Sequence, residues 1–236
     1  MAEPVETPRR NLTGAVVPGL ALAGLAAVGA MWLVGANGIG GKQAAVAPRD
    51  CILENADAIG GPIDLVDVNG ARVTQADFAG EAAVIYFGFT HCPDVCPTSM
   101  YALAEALTLE GGYDVQPILI TVDPERDTPE RMREYSQTDG FPDHLAGLTG
   151  SRAQVDAAAR AFQVYHGKAE IPGAPADAYN VDHSSLLYVV DGNWRTVSAM
   201  QTMRRTDPMN PQSPMVPAAP GDIAACIAAG LERTGS

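Results

Sequence analysis

The chain has 236 residues, 15 Lys+Arg against 28 Asp+Glu, and a formal net charge of -13. Hydrophobic residues make up 47% and charged residues 18%, which excludes wholesale disorder and leaves room for one domain with additions, or at most two small ones. The acidic balance argues against nucleic acid, which rewards clustered Lys and Arg, and suits cationic partners, metal ions included. With 4 cysteines the chain is too poor in sulfur for a disulfide scaffold of this size.

The charge is unevenly spread. Residues 1–41 carry Glu3, Glu6, Arg9 and Arg10, which cancel, so the whole excess sits on residues 42–236. Residues 1–11 form a short polar start, and an uncharged apolar stretch follows over residues 12–36. Its core, residues 15–36, would make a helix roughly 33 Å long, enough to span a bilayer. Gly and Ala suit such helices, and Trp32 lies near one end, where an interfacial aromatic would sit. A transmembrane anchor is therefore expected over 12–36, and a Gly/Ala/Gln/Pro-rich tether over 37–50. The alternative is a cleaved signal peptide, for which Ala45-Val46-Ala47 offers a small-x-small pattern and Arg9-Arg10-Asn11-Leu12 a faint twin-arginine likeness. With Arg9 and Arg10 on the short side, the N-terminus is expected in the cytoplasm and residues 51–236 outside, in a bacterium the periplasm. The expected location is thus the inner (cytoplasmic) membrane, crossed once.

Residues 51–236 alternate between strand and helix patterns. Residues 63–68 and 71–73 flank Asn69-Gly70, a short hairpin signal. Residues 82–89 (AAVIYFGF) form an apolar run of the kind buried on both faces, followed by a polar loop over 90–95 and a helical pattern to about 109. Residues 115–122 (VQPILITV) are a second buried strand. Thr128 and Pro129 read as N-cap and first turn of a helix to about 138, and Ser151 as the cap of one ending at 162. Residues 184–190 are a third buried strand, which Asp191-Gly192-Asn193 turns back into 194–197; a closing helix is expected over 222–231. The pattern is that of an α/β sheet with helices on both faces, whose site forms at the carboxyl ends of strands. Were the third strand antiparallel to the first two, residues 90–96, 123–127 and His183 would converge at one edge.

Cys92 and Cys96 stand in His91-Cys92-Pro93-Asp94-Val95-Cys96-Pro97, where strand gives way to helix. Residues four apart on a helix share a face, so both sulfurs can point to one spot, and a helix N-terminus favours thiolate. Two adjacent thiolates invite a soft metal or an internal disulfide, whereas inert buried cysteines would not sit in a polar, proline-bounded loop. The spacing is looser than the C-x2-C of redox exchange, and two sulfurs do not complete a zinc site. Cys51 and Cys226 have no partner at ligand spacing; outside the cytoplasm they could form a disulfide, with isolated thiols as the alternative. Of His91, His144, His166 and His183, the last stands directly before a buried strand, where it could be held rigidly as a third ligand. Two thiolates and an imidazole suit copper, as Cu(I) through sulfur and Cu(II) through nitrogen.

Phe87-Gly88-Phe89-Thr90-His91-Cys92-Pro93-Asp94-Val95-Cys96-Pro97 resembles the copper-site loop of the Sco/SenC family. Thr121-Val122-Asp123-Pro124-Glu125-Arg126-Asp127-Thr128-Pro129-Glu130 resembles that family's second motif, and Tyr179-Asn180-Val181-Asp182-His183-Ser184 its third. The three occur in family order, and the likeness spans about residues 59–231. It implies a thioredoxin-like fold with a mononuclear copper site whose ligands match Cys92, Cys96 and His183, and a role in maturing the copper A centre of cytochrome c oxidase. Asp123 matches an acidic position beside the site, not a ligand. Implied partners are the copper A subunit of the oxidase and, as a candidate, another periplasmic copper chaperone. Beyond the motifs, residues 200–217 form a Met/Pro-rich insertion, read as a flexible loop with incidental methionines or, since thioethers bind Cu(I), as an auxiliary copper-handling loop.

Two functions are expected from this set. The first is a metallochaperone, not an enzyme, passing one copper ion on by ligand exchange. The second is a thiol–disulfide reductase for the copper A cysteines, which needs Cys92 and Cys96 but not His183. A signalling or peroxidase role has only the fold behind it.

Overall fold

The computed structural model describes residues 48–233, apart from 49, 53, 110–112, 174, 176–177 and 208. The anchor expected over 12–36 and most of the tether lie outside the described residues. Among those described, no helix is long and apolar enough to cross a membrane.

In chain order the strands are β1 (Cys51–Ile52), β2 (Asp64–Asp67), β3 (Arg72–Thr74), β4 (Ala82–Gly88), β5 (Val115–Thr121), β6 (Ala146–Thr149), β7 (His166–Glu170), β8 (Tyr179–His183), β9 (Leu186–Val190), β10 (Thr196–Gln201), β11 (Met203–Arg205) and β12 (Met215–Pro217). The helices are α1 (Val95–Thr108), α2 (Pro129–Ser136), α3 (Arg152–Ala161) and α4 (Pro220–Glu232). Eight strands form one sheet in the order β1-β10-β9-β4-β5-β6-β2-β3. β4, β5 and β6 run parallel, and β9 runs antiparallel to β4 with Tyr86 opposite Leu187. The condition for convergence is therefore met: the start of β9 lies at the carboxyl edge of β4 and β5.

Burial explains the middle of the sheet. From Ala83 to Phe87 every β4 side chain is fully buried, as are Ile118, Leu119 and Ile120 of β5. Alternation sends neighbouring side chains to opposite faces. Phe87 meets Phe162, just past α3, at 5.5 Å between ring centroids, whereas a Cβ on Gly88 would lie 3.2 Å from the Cys96 sulfur of α1. Helices thus cover both faces, as the pattern implied. Thr128 caps α2 by accepting from the Arg131 N–H, with Pro129 in the first turn, and Ser151 caps α3 in a capping box with Gln154. The Asn69-Gly70 hairpin is present as β2 and β3, with Gly70 at φ 79° where a side chain would be strained.

Some boundaries moved and some elements were missed. The third strand begins at Leu186, not residue 184, because the Ser184 N–H donates to the Tyr165 carbonyl and its hydroxyl accepts from the Tyr165 N–H. The return strand starts at Thr196; Trp194 occupies the turn at φ 60°. β7 and β8 form a hairpin with His166 opposite His183, unrecognised because its polar sequence lacks an apolar face. The Met/Pro-rich insertion includes a second hairpin, β11 with β12. Cys51 and Cys226 form a disulfide, their Cα atoms 5.6 Å apart, tying edge strand β1 to α4.

Candidate metal centre

The cysteine loop leaves β4 at its carboxyl end. Cys92 lies in the turn ahead of α1 and Cys96 in the helix's first turn, so the expectation that both share one helical face is corrected. Pro93 is the reason: the residue before a proline is pushed out of the helical region. The sulfurs still meet. The Cys96 backbone N–H, one of the helix's free donors, points at the Cys92 Sγ at 3.3 Å. On the other side the Cys96 Sγ lies 3.4 Å from the His183 Nε2. One donor atom from each of Cys92, Cys96 and His183 falls within 4.8 Å of the others.

His183 ends β8 and is fixed from three directions. Its Nδ1 lies 2.9 Å from the Ser184 carbonyl. A carbonyl only accepts, so Nδ1 carries the proton and Nε2 of the neutral ring is left with a lone pair toward the sulfurs. Tyr86 and Phe89 present T-shaped ring contacts at 6.1 and 5.7 Å. The two sulfurs differ in character. Cys92, half-buried, is held as a thiolate with its pKa lowered to about 4, chiefly by the hydrogen bond from the Cys96 thiol, against the upward push of burial. Cys96 is fully buried, and burial together with the neighbouring Cys92 anion drives its pKa well above the ordinary thiol value. One site thus offers a half-buried anion, a covered thiol and an imidazole lone pair. Cys92 and His183 line a cleft of about 310 Å³ together with Asp94, Asp182, Met203 and Met215, and Cys96 lies buried behind them.

The second motif supports the loop without entering the donor group. Asp123 is fully buried; it accepts from the Tyr179 hydroxyl at 2.9 Å and pairs with the Arg126 guanidinium. That guanidinium donates to the Tyr179 carbonyl at 3.0 Å and stacks 3.9 Å above the Tyr179 ring. It also lies 5.9 Å from the Phe89 ring, which packs on His183. Asp123 therefore acts on the first residue of the strand that His183 ends.

Asp127 had no role in the sequence reading and turns out to clamp the cysteine loop. Its buried carboxylate accepts from the Thr90 N–H at 3.0 Å, the Thr90 hydroxyl at 2.6 Å and the Thr121 hydroxyl at 2.6 Å. Its only signal in the sequence was its place inside the second motif. Tyr86, fully buried beneath His183, was likewise hidden inside an apolar run. Of the other histidines, His91 is exposed and turned toward Asp127 at 3.8 Å, and His166 pairs with Asp156 at 3.4 Å. His144 sits in a turn ahead of β6, its carbonyl accepting from Gln116. None of the three joins the donor group.

A mixed sheet with parallel β4 and β5 beside antiparallel β9, and a cysteine loop running from β4 into α1, defines a thioredoxin-like α/β domain with a thiolate–imidazole site. A family model described as SCO1/SenC matches residues 53–212, and the chain belongs to that family. It is 43% identical over 136 residues to the Arabidopsis thaliana protein named "Protein SCO1 homolog 1, mitochondrial", covering 56% of this chain and 39% of that protein. The chain thus spans less than half the length of that relative. A crystal structure of Arabidopsis thaliana ScoI with copper bound is similar at a TM-score of 0.60 and 32% identity, over 75% of this chain and 99% of that one. A copper-bound structure of Bradyrhizobium japonicum ScoI matches at a TM-score of 0.56 and 38% identity, over 72% and 98%.

Proposed function

We propose that this protein is a membrane-anchored copper chaperone that holds one copper ion through Cys92, Cys96 and His183 and delivers it to the copper A site of cytochrome c oxidase during assembly. The observation that carries the reading is the meeting of two sulfurs and the His183 Nε2 within 4.8 Å, beside a cleft that Cys92 and His183 line. Sulfur and imidazole select copper over hard cations, and three protein donors leave the ion short of a full shell, open to an incoming ligand from an acceptor. The similar structures with copper bound support the same metal. Both valences suit the set: thiolates favour Cu(I), and the imidazole accommodates Cu(II).

The location is proposed on two grounds. The uncharged stretch over 12–36 suits a single crossing of the inner membrane, and a Cys51–Cys226 bridge suits the oxidising periplasm. The proposed partners are the copper A subunit as recipient and another periplasmic copper chaperone as a source of metal. Asp123 is proposed to position the site, not to bind the ion.

The test is copper retention. The reduced protein is loaded anaerobically with Cu(I), desalted and compared with His183→Ala. One copper per chain in the parent and none in the variant is the expected outcome; equal retention by both would overturn the three-donor site. A second reading, a thiol–disulfide reductase for the copper A cysteines, draws on the unequal sulfurs. Cys92 is poised to attack and Cys96 lies beneath it to resolve the mixed disulfide. That activity would survive His183→Ala and be lost in Cys92→Ser.

A further inference from the structure

We propose that Met203 and Met215 form a thioether receiving site for Cu(I) at the mouth of the cleft, from which the ion passes to Cys92, Cys96 and His183. The inference rests on the copper reading above and deepens it by naming how the ion arrives.

Strand register places the two methionines together. Met203 pairs with Pro217 and Arg205 with Met215, so all four side chains share one face of the β11–β12 hairpin. Met203 and Met215 are diagonal neighbours on that face, at a spacing that long side chains bridge. Both line the cleft that Cys92 and His183 also line.

The hairpin is tied to the elements that carry the donors. Thr202, which precedes Met203, donates its N–H to the Ser185 carbonyl at 2.9 Å, two residues past His183. Its hydroxyl accepts from Ser99 at 2.8 Å, on the same helix as Cys96, and Ala218 closes the other strand by donating to the Thr202 carbonyl at 2.8 Å. The thioethers therefore hold a fixed station beside the site. Core packing does not account for Met215, which is 47% exposed. Thioether sulfur is a soft, neutral ligand: it binds Cu(I) without losing a proton and yields it to thiolate. Asp94 and Asp182 also line the cleft, and their negative charge draws cations toward it.

The transfer is a ligand substitution in which copper stays Cu(I). The Met203 and Met215 sulfur–copper bonds break, bonds to the two cysteine sulfurs and the His183 Nε2 form, and the Cys96 thiol proton passes to solvent. Nothing is oxidised or reduced.

The test uses the full chain, reduced, with Cu(I) supplied anaerobically as its bicinchoninate complex and loading followed by stopped flow. M203L/M215L is expected to load on the order of tenfold more slowly than the parent while still reaching one copper per chain. M209L, at the exposed tip of the same insertion, is expected to load at the parental rate. Parental loading in M203L/M215L, or equal slowing in M209L, would overturn the receiving site. Failure of the parent itself to retain copper would overturn the copper reading instead. As a check independent of rate, C92S/C96S/H183A carrying methyl-labelled methionine is titrated with Ag(I). The methyl signals of Met203 and Met215 should shift together and saturate at one equivalent, with Met209 unmoved; unshifted signals would overturn the proposal.

Discussion

The chain contains two pairs of cysteines, and the fold gives them opposite fates. Cys51 and Cys226 are joined across an edge strand and the last helix. Cys92 and Cys96 stay unjoined, although the backbone N–H of one already donates to the sulfur of the other. The surroundings set the difference. At the first pair the chain closes a loop across a sequence separation of 175, so the bond's value is a constraint on the unfolded chain. At the second, the Cys96 hydrogen bond and the helix N-terminus hold Cys92 as a thiolate while burial and the neighbouring anion keep Cys96 a thiol, which is reactivity held in place. One pair is closed in a covalent bond, and the other stays open within the donor group.

That separation is the largest effect to test. Cys92→Ser should abolish copper retention while shifting unfolding by less than about 1 kcal/mol, because the residue is only half-buried. Cys51→Ser/Cys226→Ser should retain one copper and lose about 3–5 kcal/mol of stability, read by denaturant titration under non-reducing conditions. If either variant lost both properties, the two pairs would be coupled and the comparison would fail. Next comes Gly88→Ala. A Cβ there would meet the Tyr86 ring at 2.8 Å and the Cys96 sulfur at 3.2 Å, so it should cost about 1–3 kcal/mol and weaken copper binding together. An unperturbed variant would mean that the floor of the site can yield.

Asp127→Asn sharpens the comparison further, because it leaves both pairs in place and loosens only the loop that carries Cys92. Replacing one carboxylate oxygen by an amide forfeits an acceptor for Thr90 or Thr121, and copper affinity should fall about 10-fold. Competition with a Cu(I) chelator measures it. The smallest effect is the pH response of the open pair. With the Cys92 pKa lowered to about 4, its iodoacetamide reactivity in the reduced, metal-free protein should stay flat between about pH 6 and 8, where an ordinary thiol gains nearly tenfold per unit. Copper affinity should still climb with pH, because Cys96, held above the ordinary thiol value, must give up its proton to bind. The sign is fixed: acid weakens binding. A labelling rate that rose tenfold per unit would place Cys92 among ordinary thiols.

The legibility of the molecule from its sequence follows the same physics. β4, β5 and the caps of α2 and α3 could be read because continuous apolar runs and Thr-Pro or Ser-x-x-Gln caps are local signals. The three donors could be read because two of them lie four residues apart and the third abuts a buried strand. What stayed hidden is long-range or polar. Asp127 reaches Thr90 across 37 residues, and nothing near either announces the bond. The β7–β8 hairpin has no apolar alternation to betray it, although it carries His183. The Met/Pro-rich insertion reads locally as loop, and only the pairing of Met203 with Pro217 turns it into a structured rim on the cleft. A Cys51–Cys226 bridge is one of two readings the sequence leaves open, and the fold decides it by bringing the first strand beside the last helix.

The central claim is that two cysteine sulfurs and one imidazole hold the ion. X-ray absorption at the copper edge of the Cu(I)-loaded full chain measures that directly. The account predicts a first shell of two sulfurs and one nitrogen, with the outer-shell pattern of an imidazole ring that disappears in His183→Ala. A shell of sulfur alone in the parent would contradict it.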